Sequence, residues 1–233
     1  MSGPEPRQMA FDLPALDAYG RDDFFASPAN RLALATVENW ANWPDGRLLL
    51  TGPAGSGKTH LAHIWAAETG ATIVPGAGLA AARLDALVAA GDVAVEDAEA
   101  VARDPADQTA LFHLLNLTAA QGRRVLLTSA ISPRDWGLGL PDLLSRVQAM
   151  QAARLDAPDD ALLSAVLVKL FADRQLVVPE TLIPYLLARM ERSVEAARDL
   201  VAALDAQSLA SRKPVSRAMA AKLLDKADDP AEY

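Results

Sequence analysis

The chain of 233 residues contains no cysteine, which excludes a disulfide framework, a thiolate metal site and a cysteine nucleophile. No apolar run approaches the roughly 20 residues of a membrane-spanning helix, and the first residues lack the basic region and apolar core of a signal peptide. Basic side chains are scarce: 22 Lys and Arg stand against 30 Asp and Glu, a formal net charge of −8. Attraction to DNA rests on Lys and Arg neutralising phosphates, so protein partners are expected rather than direct sequence-specific DNA binding. Together these absences suit a cytoplasmic protein with no membrane association. Apolar residues are plentiful, at 51%, enough for one large domain or a medium domain with a small one.

Residues 1–14 read as an extended arm, because Pro4, Pro6 and Pro14 disfavour helix and Gly3 loosens its start. A helical pattern runs from about Asn30 to Trp43. RLLLT, Arg47 to Thr51, is a short apolar run bounded by turn residues, as in a buried parallel strand. Helix from about Lys58 to Glu68, strand ATIV (Ala71 to Val74), helix from Leu79 to Ala90 and strand VAVED (Val93 to Asp97) follow. Asp104-Pro105 has the form of an N-cap with proline at the first helical position, and Gly122 ends that helix. RRVLLTS, Arg123 to Ser129, is the next strand. This alternation predicts an α/β domain, a parallel sheet with helices on both faces, over residues 15–157. Residues 158–233 read as a small all-helical domain, with helices near Asp159–Asp173, Pro179–Glu191, Val194–Ser211 and Ser216–Lys226.

GPAGSGKT matches the phosphate-loop pattern G-x-x-x-x-G-K-[ST] in full, between a strand and a helix as the pattern requires. The loop backbone of Gly52, Pro53, Ala54, Gly55, Ser56 and Gly57 is expected to turn its N–H groups toward phosphate oxygens at the positive end of the helix. Lys58 reaches the β- and γ-phosphates, the Thr59 hydroxyl ligates Mg²⁺, and His60 completes the nucleotide-binding stretch. An acidic residue at the end of a neighbouring strand normally holds Mg²⁺ through water. VAVED supplies Glu96 for the metal side and Asp97 to orient the attacking water. His60 and His63 lie three apart on one helix with no third ligand, which favours packing over a metal site. His113 and the four tryptophans suggest no cofactor.

These residues, with DDFFASPANRLA, GKTHL, LTS followed by SPRDW, and GLGLPDLLSR, resemble the DnaA-related AAA+ ATPases over about Asp23 to Leu224. The resemblance implies a P-loop AAA+ domain followed by a helical lid, with ADP or ATP and Mg²⁺ as ligands. It makes Arg146 the arginine that reaches the nucleotide of a neighbouring subunit. A replication initiator of the family continues into a helix-turn-helix domain, which this sequence does not carry after the lid; that resembles the short, Hda-like branch that inactivates the initiator. In that branch an N-terminal peptide docks on the DNA polymerase sliding clamp, and QMAFDL places Gln8, Met9, Phe11 and Leu13 at the docking positions.

Two departures from the family pattern weaken hydrolysis by the chain itself. Glu195 stands where the lid usually carries a phosphate-contacting arginine, leaving Arg192 or Arg198 to substitute. Ala130 stands at a position often occupied by a polar sensor, leaving Thr128 or Ser129. The acidic pair also runs Glu then Asp, the reverse of the usual order. The expectation is therefore a negative regulator of replication initiation that binds the clamp and stimulates hydrolysis by the DnaA initiator, with possible self-association. Three alternatives stand beside it: a self-contained ATPase such as a helicase loader, a clamp-binding adaptor with structural nucleotide, and, less favoured, a small-molecule kinase.

Overall fold

The computed structural model describes residues 19–227. Five parallel strands form one sheet: β1 (Arg47–Thr51), β2 (Thr72–Pro75), β3 (Val93–Glu96), β4 (Val125–Ser129) and β5 (Gln151–Arg154), in the order β2-β3-β4-β1-β5. Side chains alternate faces along a strand, and both faces here are apolar. Leu49, Val93, Val95, Val125 and Leu127 enter one core with α3 (Leu84–Ala90), α4 (Pro105–Ala120) and α5 (Pro141–Gln148). Leu48, Leu50, Ala94 and Leu126 enter the other with α1 (Arg31–Glu38) and α2 (Lys58–Thr69). That two-sided burial is why these strands read as continuous apolar runs.

Four of the strands match the sequence expectation, and the fifth does not appear in it. Strand β5 has the composition Gln-Ala-Ala-Arg, with only Ala153 buried. It is a strand because its backbone pairs with β1 from Leu48–Gln151 to Thr51–Arg154 at the sheet edge. The first expected helix is shorter than its pattern, giving way to a 3-10 turn at Trp40–Asn42. The expected helix from Leu79 divides into a 3-10 turn at Leu79–Ala81 and α3. Asp104 caps α4 as expected, its side chain accepting the Ala106 N–H at 2.8 Å.

Helices α6 (Asp160–Asp173), α7 (Leu182–Leu187), α8 (Val194–Ser211) and α9 (Arg217–Ala227) form the lid around Leu163, Leu167, Phe171, Leu186, Val201 and Leu204. Asp159 and Ser193 cap α6 and α8, accepting the Leu162 and Ala196 N–H groups at 2.7 and 2.9 Å. Among the described residues no helix is long and apolar enough to cross a membrane. The expected arm residues Gln8, Met9, Phe11 and Leu13 lie outside the described residues.

Candidate functional site

The phosphate loop leaves the C-terminal end of β1 and enters α2. Gly55 and Gly57 adopt φ of 67° and 102°, in the left-handed region that glycine enters without a Cβ penalty. A side chain at Gly55 would also collide with the lid, its Cβ falling 2.2 Å from that of Ser193. Lys58 is 8% exposed and donates to the Gly52 and Pro53 carbonyls at 2.8 and 2.9 Å. Burial pushes its pKa below the ordinary lysine value, and the charges of Asp97, Glu99 and Glu96 pull it back up. The Ser56 hydroxyl oxygen is buried in the loop without a protein partner, and Thr59 is exposed at the first turn of α2.

A cleft of about 810 Å³ lies between sheet domain and lid. Its lining includes Ala54 to His60 on one side and Leu162, Glu195 and Arg198 on the other. The lid meets the loop directly, since the Val194 N–H donates to the Gly55 carbonyl at 3.3 Å. Lys169 of α6 braces the opening, pairing with Asp23 at 3.0 Å and with Asp173 at 2.9 Å.

The acidic pair spans the end of β3 and the turn that follows it. Strand β3 ends at Glu96, whose carbonyl accepts the Gly76 N–H at 2.7 Å. The chain then turns through Asp97 at φ 48°, held by its N–H donating to the Thr128 hydroxyl at 3.1 Å. This turn puts Asp97 in the cleft lining, and the Glu96 Oε1 is buried without a protein partner. Both carboxylates act on the Lys58 charge. Glu99 was missed altogether. It sits on the 3-10 turn after Asp97, and its Oε1 accepts the Ala130 N–H at 2.8 Å. No local pattern marks a single glutamate on a turn as reaching a strand end 31 residues away.

The two sensor substitutes are also committed elsewhere. Thr128 holds Asp97, and the Ser129 hydroxyl donates to the Ile131 carbonyl at 2.8 Å. On the lid, Arg192 pairs with Asp160 and is not among the residues lining the cleft. Arg198, one turn into α8, lines the cleft with its guanidinium 5.5 Å from the Tyr19 ring centroid. Glu195 lies in the first turn of α8, where the helix dipole favours a carboxylate.

His60, in the cleft lining, and His63 both pack against aromatic rings. The His60 Nε2–H donates to the Gly20 carbonyl at 3.0 Å, and the ring meets Phe24 edge-on at 5.2 Å. His63 stacks on Tyr19 at 4.4 Å. Among the described residues no group of three His, Cys, Asp or Glu side chains is placed to hold a metal ion.

Arg146 lies elsewhere. It is in the last turn of α5, over the Phe112 ring at 4.7 Å, and is absent from the cleft lining. Its charge acts on Arg47, the first residue of β1, while the phosphate loop starts at the other end of that strand. Four residue steps of strand separate those ends, about 13 Å.

The parallel sheet, the phosphate loop at the end of its β1 strand, the acidic turn after β3 and the apposed helical lid define a P-loop protein of the AAA+ class. No family model matches the chain. It is 30% identical over 221 residues to the chromosomal replication initiator protein DnaA of Caulobacter sp. (strain K31), and 25% identical over 237 residues to that of Flavobacterium psychrophilum. Those alignments take in 84% and 89% of this chain but 45% and 48% of the relatives, so the chain spans about half their length. Domain III of the Thermotoga maritima initiator DnaA superposes with a TM-score of 0.79 at 19% identity, over 91% of this chain and 98% of that one. A DnaA bound to AMPPCP and single-stranded DNA gives 0.68 at 18% identity, covering 83% and 67%. The RuvB branch migration motor of T. maritima gives 0.69 at 17%, covering 89% and 72%. The chain is thus similar in sequence to about half the length of DnaA initiators and shares the AAA+ fold of their domain III.

Proposed function

We propose that the chain is a nucleotide-binding regulator of the Hda type, which lends Arg146 to the ATP site of a DnaA initiator while held on the DNA polymerase sliding clamp. The observation that carries this reading is the position of Arg146. It stands at the end of the sheet remote from its own phosphate loop, outside its own cleft and partly exposed. That placement supports a role at a neighbour's nucleotide, where fingers supplied in trans contribute roughly 10³–10⁵ in rate.

The residues fit a bound nucleotide. The loop has a buried, unpartnered Ser56 hydroxyl and a desolvated Lys58 at a helix N-terminus, features that suit an anionic ligand. ADP or ATP is the expected occupant, with Thr59 and Asp97 on the side of Mg²⁺, which neutralises phosphate charge when bound. Lys58 orients the phosphates, Arg198 approaches from the lid, and the carboxylates set the cation requirement. Gln8, Met9, Phe11 and Leu13 supply the clamp contact in this reading.

The test measures ATP hydrolysis by a DnaA initiator in the presence of DNA-loaded clamp and this protein. Arg146→Ala is expected to abolish stimulation while nucleotide binding persists; undiminished stimulation would sink the proposal. A second reading, a self-contained ATPase, draws on Asp97 and Glu99 beside Lys58. It requires turnover without initiator or clamp, lost on Lys58→Ala and unchanged by Arg146→Ala in the isolated chain.

A further inference from the structure

Helix α4 grips α5 at both ends through side chains that the nucleotide cleft does not use. Gln108 is 6% exposed, and its Oε1 accepts the Gly139 and Leu140 N–H groups at 2.9 and 3.2 Å, at the entry to α5. Its Nε2 donates to the Ala102 carbonyl at 3.4 Å, in the 3-10 turn after Asp97. One helical turn further along α4, Phe112 lies 4.7 Å from the guanidinium carbon of Arg146, at the exit of α5. The inner face of α5 buries Leu143 and Val147. Apolar burial is non-directional, so those two residues alone leave an eight-residue helix free to slide and roll. The amide and the ring are directional, and they act at opposite ends.

A third group confines the arginine. Arg47 donates from Nη2 to the Leu115 carbonyl at 2.8 Å, again on α4. Burial first, and then the charge of Arg146, lower its pKa from the ordinary arginine value. Two like charges repel, so the favourable place for the Arg146 guanidinium is over the Phe112 ring rather than back toward β1.

We infer that Gln108 and Phe112 are positioning residues for Arg146, the amide setting the register of α5 and the ring setting the direction in which the guanidinium is presented to a neighbouring subunit's phosphates. The inference rests on the reading of Arg146 as acting in trans. It also joins the finger to the chain's own site, because the same Gln108 side chain bonds the turn that follows Asp97 and carries Glu99, and the loop entering α5. A misplacement near 1 Å lowers a rate by about 10²-fold, which sets the scale of the effect.

Two measurements on the full chain test it. In the first, the Arg146 Nε–H resonance, assigned with Arg146→Lys, is followed by NMR without any partner. A dispersed resonance is expected for the native chain, moving into the envelope of exposed arginines in Phe112→Leu and Gln108→Met and restored in Phe112→Tyr. In the second, stimulated hydrolysis by a DnaA initiator on loaded clamp is titrated with each variant. The maximal rate is expected to fall about 10-fold to 10²-fold for Phe112→Leu and Gln108→Met. The concentration giving half-maximal stimulation is expected to stay unchanged, and Phe112→Tyr to recover the rate. If Arg146→Ala leaves stimulation intact, the functional reading fails while the resonance still decides the positioning. If Arg146→Ala abolishes stimulation but Phe112→Leu changes neither resonance nor rate, the inference is overturned. Should Gln108→Met fail to fold, the Phe112 pair decides alone.

Discussion

Phe24 and Phe25 are consecutive in the chain, yet their side chains enter different cores. Phe24 is buried with Leu50, Leu61 and Trp65 of the sheet domain, while Phe25 packs against the lid cluster of α6 to α9. The turn that presents them is held by Asn30, 3% exposed, whose Oδ1 accepts the Ser27 N–H and whose Nδ2 donates to the Phe25 carbonyl, both at 2.8 Å. This pair pins the lid at the edge of the cleft. Phe25→Ala is expected to loosen the lid without unfolding either domain, because each core keeps its other members. The dissociation rate of a fluorescent ADP, followed by stopped flow, is expected to rise about tenfold, equivalent to losing about 1.4 kcal/mol of closure.

Gly55 makes the complementary test on the loop side. Alanine there must take a left-handed φ, at about 1–2 kcal/mol, and its Cβ would stand 2.2 Å from that of Ser193. Ser193 belongs to the cap of α8, so the lid has to retreat. Gly55→Ala is expected to lower the melting temperature and to raise amide exchange at the first turn of α8, including Val194, whose N–H bonds Gly55. Exchange mass spectrometry confined to the phosphate loop, with α8 unchanged, would contradict this.

The legible parts were those whose physics is local. The phosphate loop is eight contiguous residues, and β1, β3 and β4 announce themselves because both faces of a parallel sheet demand apolar side chains. Strand β5 exists through pairing with β1, and nothing in Gln-Ala-Ala-Arg favours extension in isolation. Gln108 and Asp107 read as ordinary polar helix residues. Their buried state follows from backbone partners about 30 residues away: Gly139 and Leu140 for one, Gly78 and Ala80 for the other. The turn that brings Asp97 into the cleft lining was hidden for a similar reason. It depends on a left-handed turn secured by Thr128 from the adjacent strand.

His60 gives a pH signature. Burial first, opposed by the bond to Gly20, and then the charge of Arg198 lower its pKa from the ordinary histidine value, with Asp23 acting the other way and His63 adding to the depression. A lowered folded-state pKa means that the fold prefers the neutral ring. The contribution is therefore fully present above the unfolded value near 6.5 and is lost as pH falls below it, because the unfolded chain then binds the extra proton. Thermal unfolding is expected to show His60→Gln less stable than the native chain by about 1 kcal/mol at pH 7.5, in keeping with one lost buried hydrogen bond. The gap is expected to narrow by pH 5.5. A gap that widens on acidification would reverse the sign and refute the assignment.

The carboxylates around Lys58 make a last prediction, on metal dependence. Asp97, Glu99 and Glu96, in that order, act on the Lys58 charge, and no three acidic or imidazole groups converge to hold a cation unaided among the described residues. Magnesium is usually held by one or two carboxylates together with nucleotide phosphates, so the cation and the triphosphate should bind here only together. Calorimetric titration with Mg²⁺ alone is expected to be flat. ATP is expected to bind at least about tenfold more weakly in EDTA, a difference of about 1.4 kcal/mol, since the charge of Asp97 in the cleft, backed by Glu99 and Glu96, then acts on the phosphates unscreened. Glu99→Gln keeps an oxygen to accept the Ala130 N–H and removes one of those charges. It is expected to tighten ATP binding in EDTA while changing little in Mg²⁺. Equal affinities with and without the cation in the native chain would show that the carboxylate charge does not reach the phosphates.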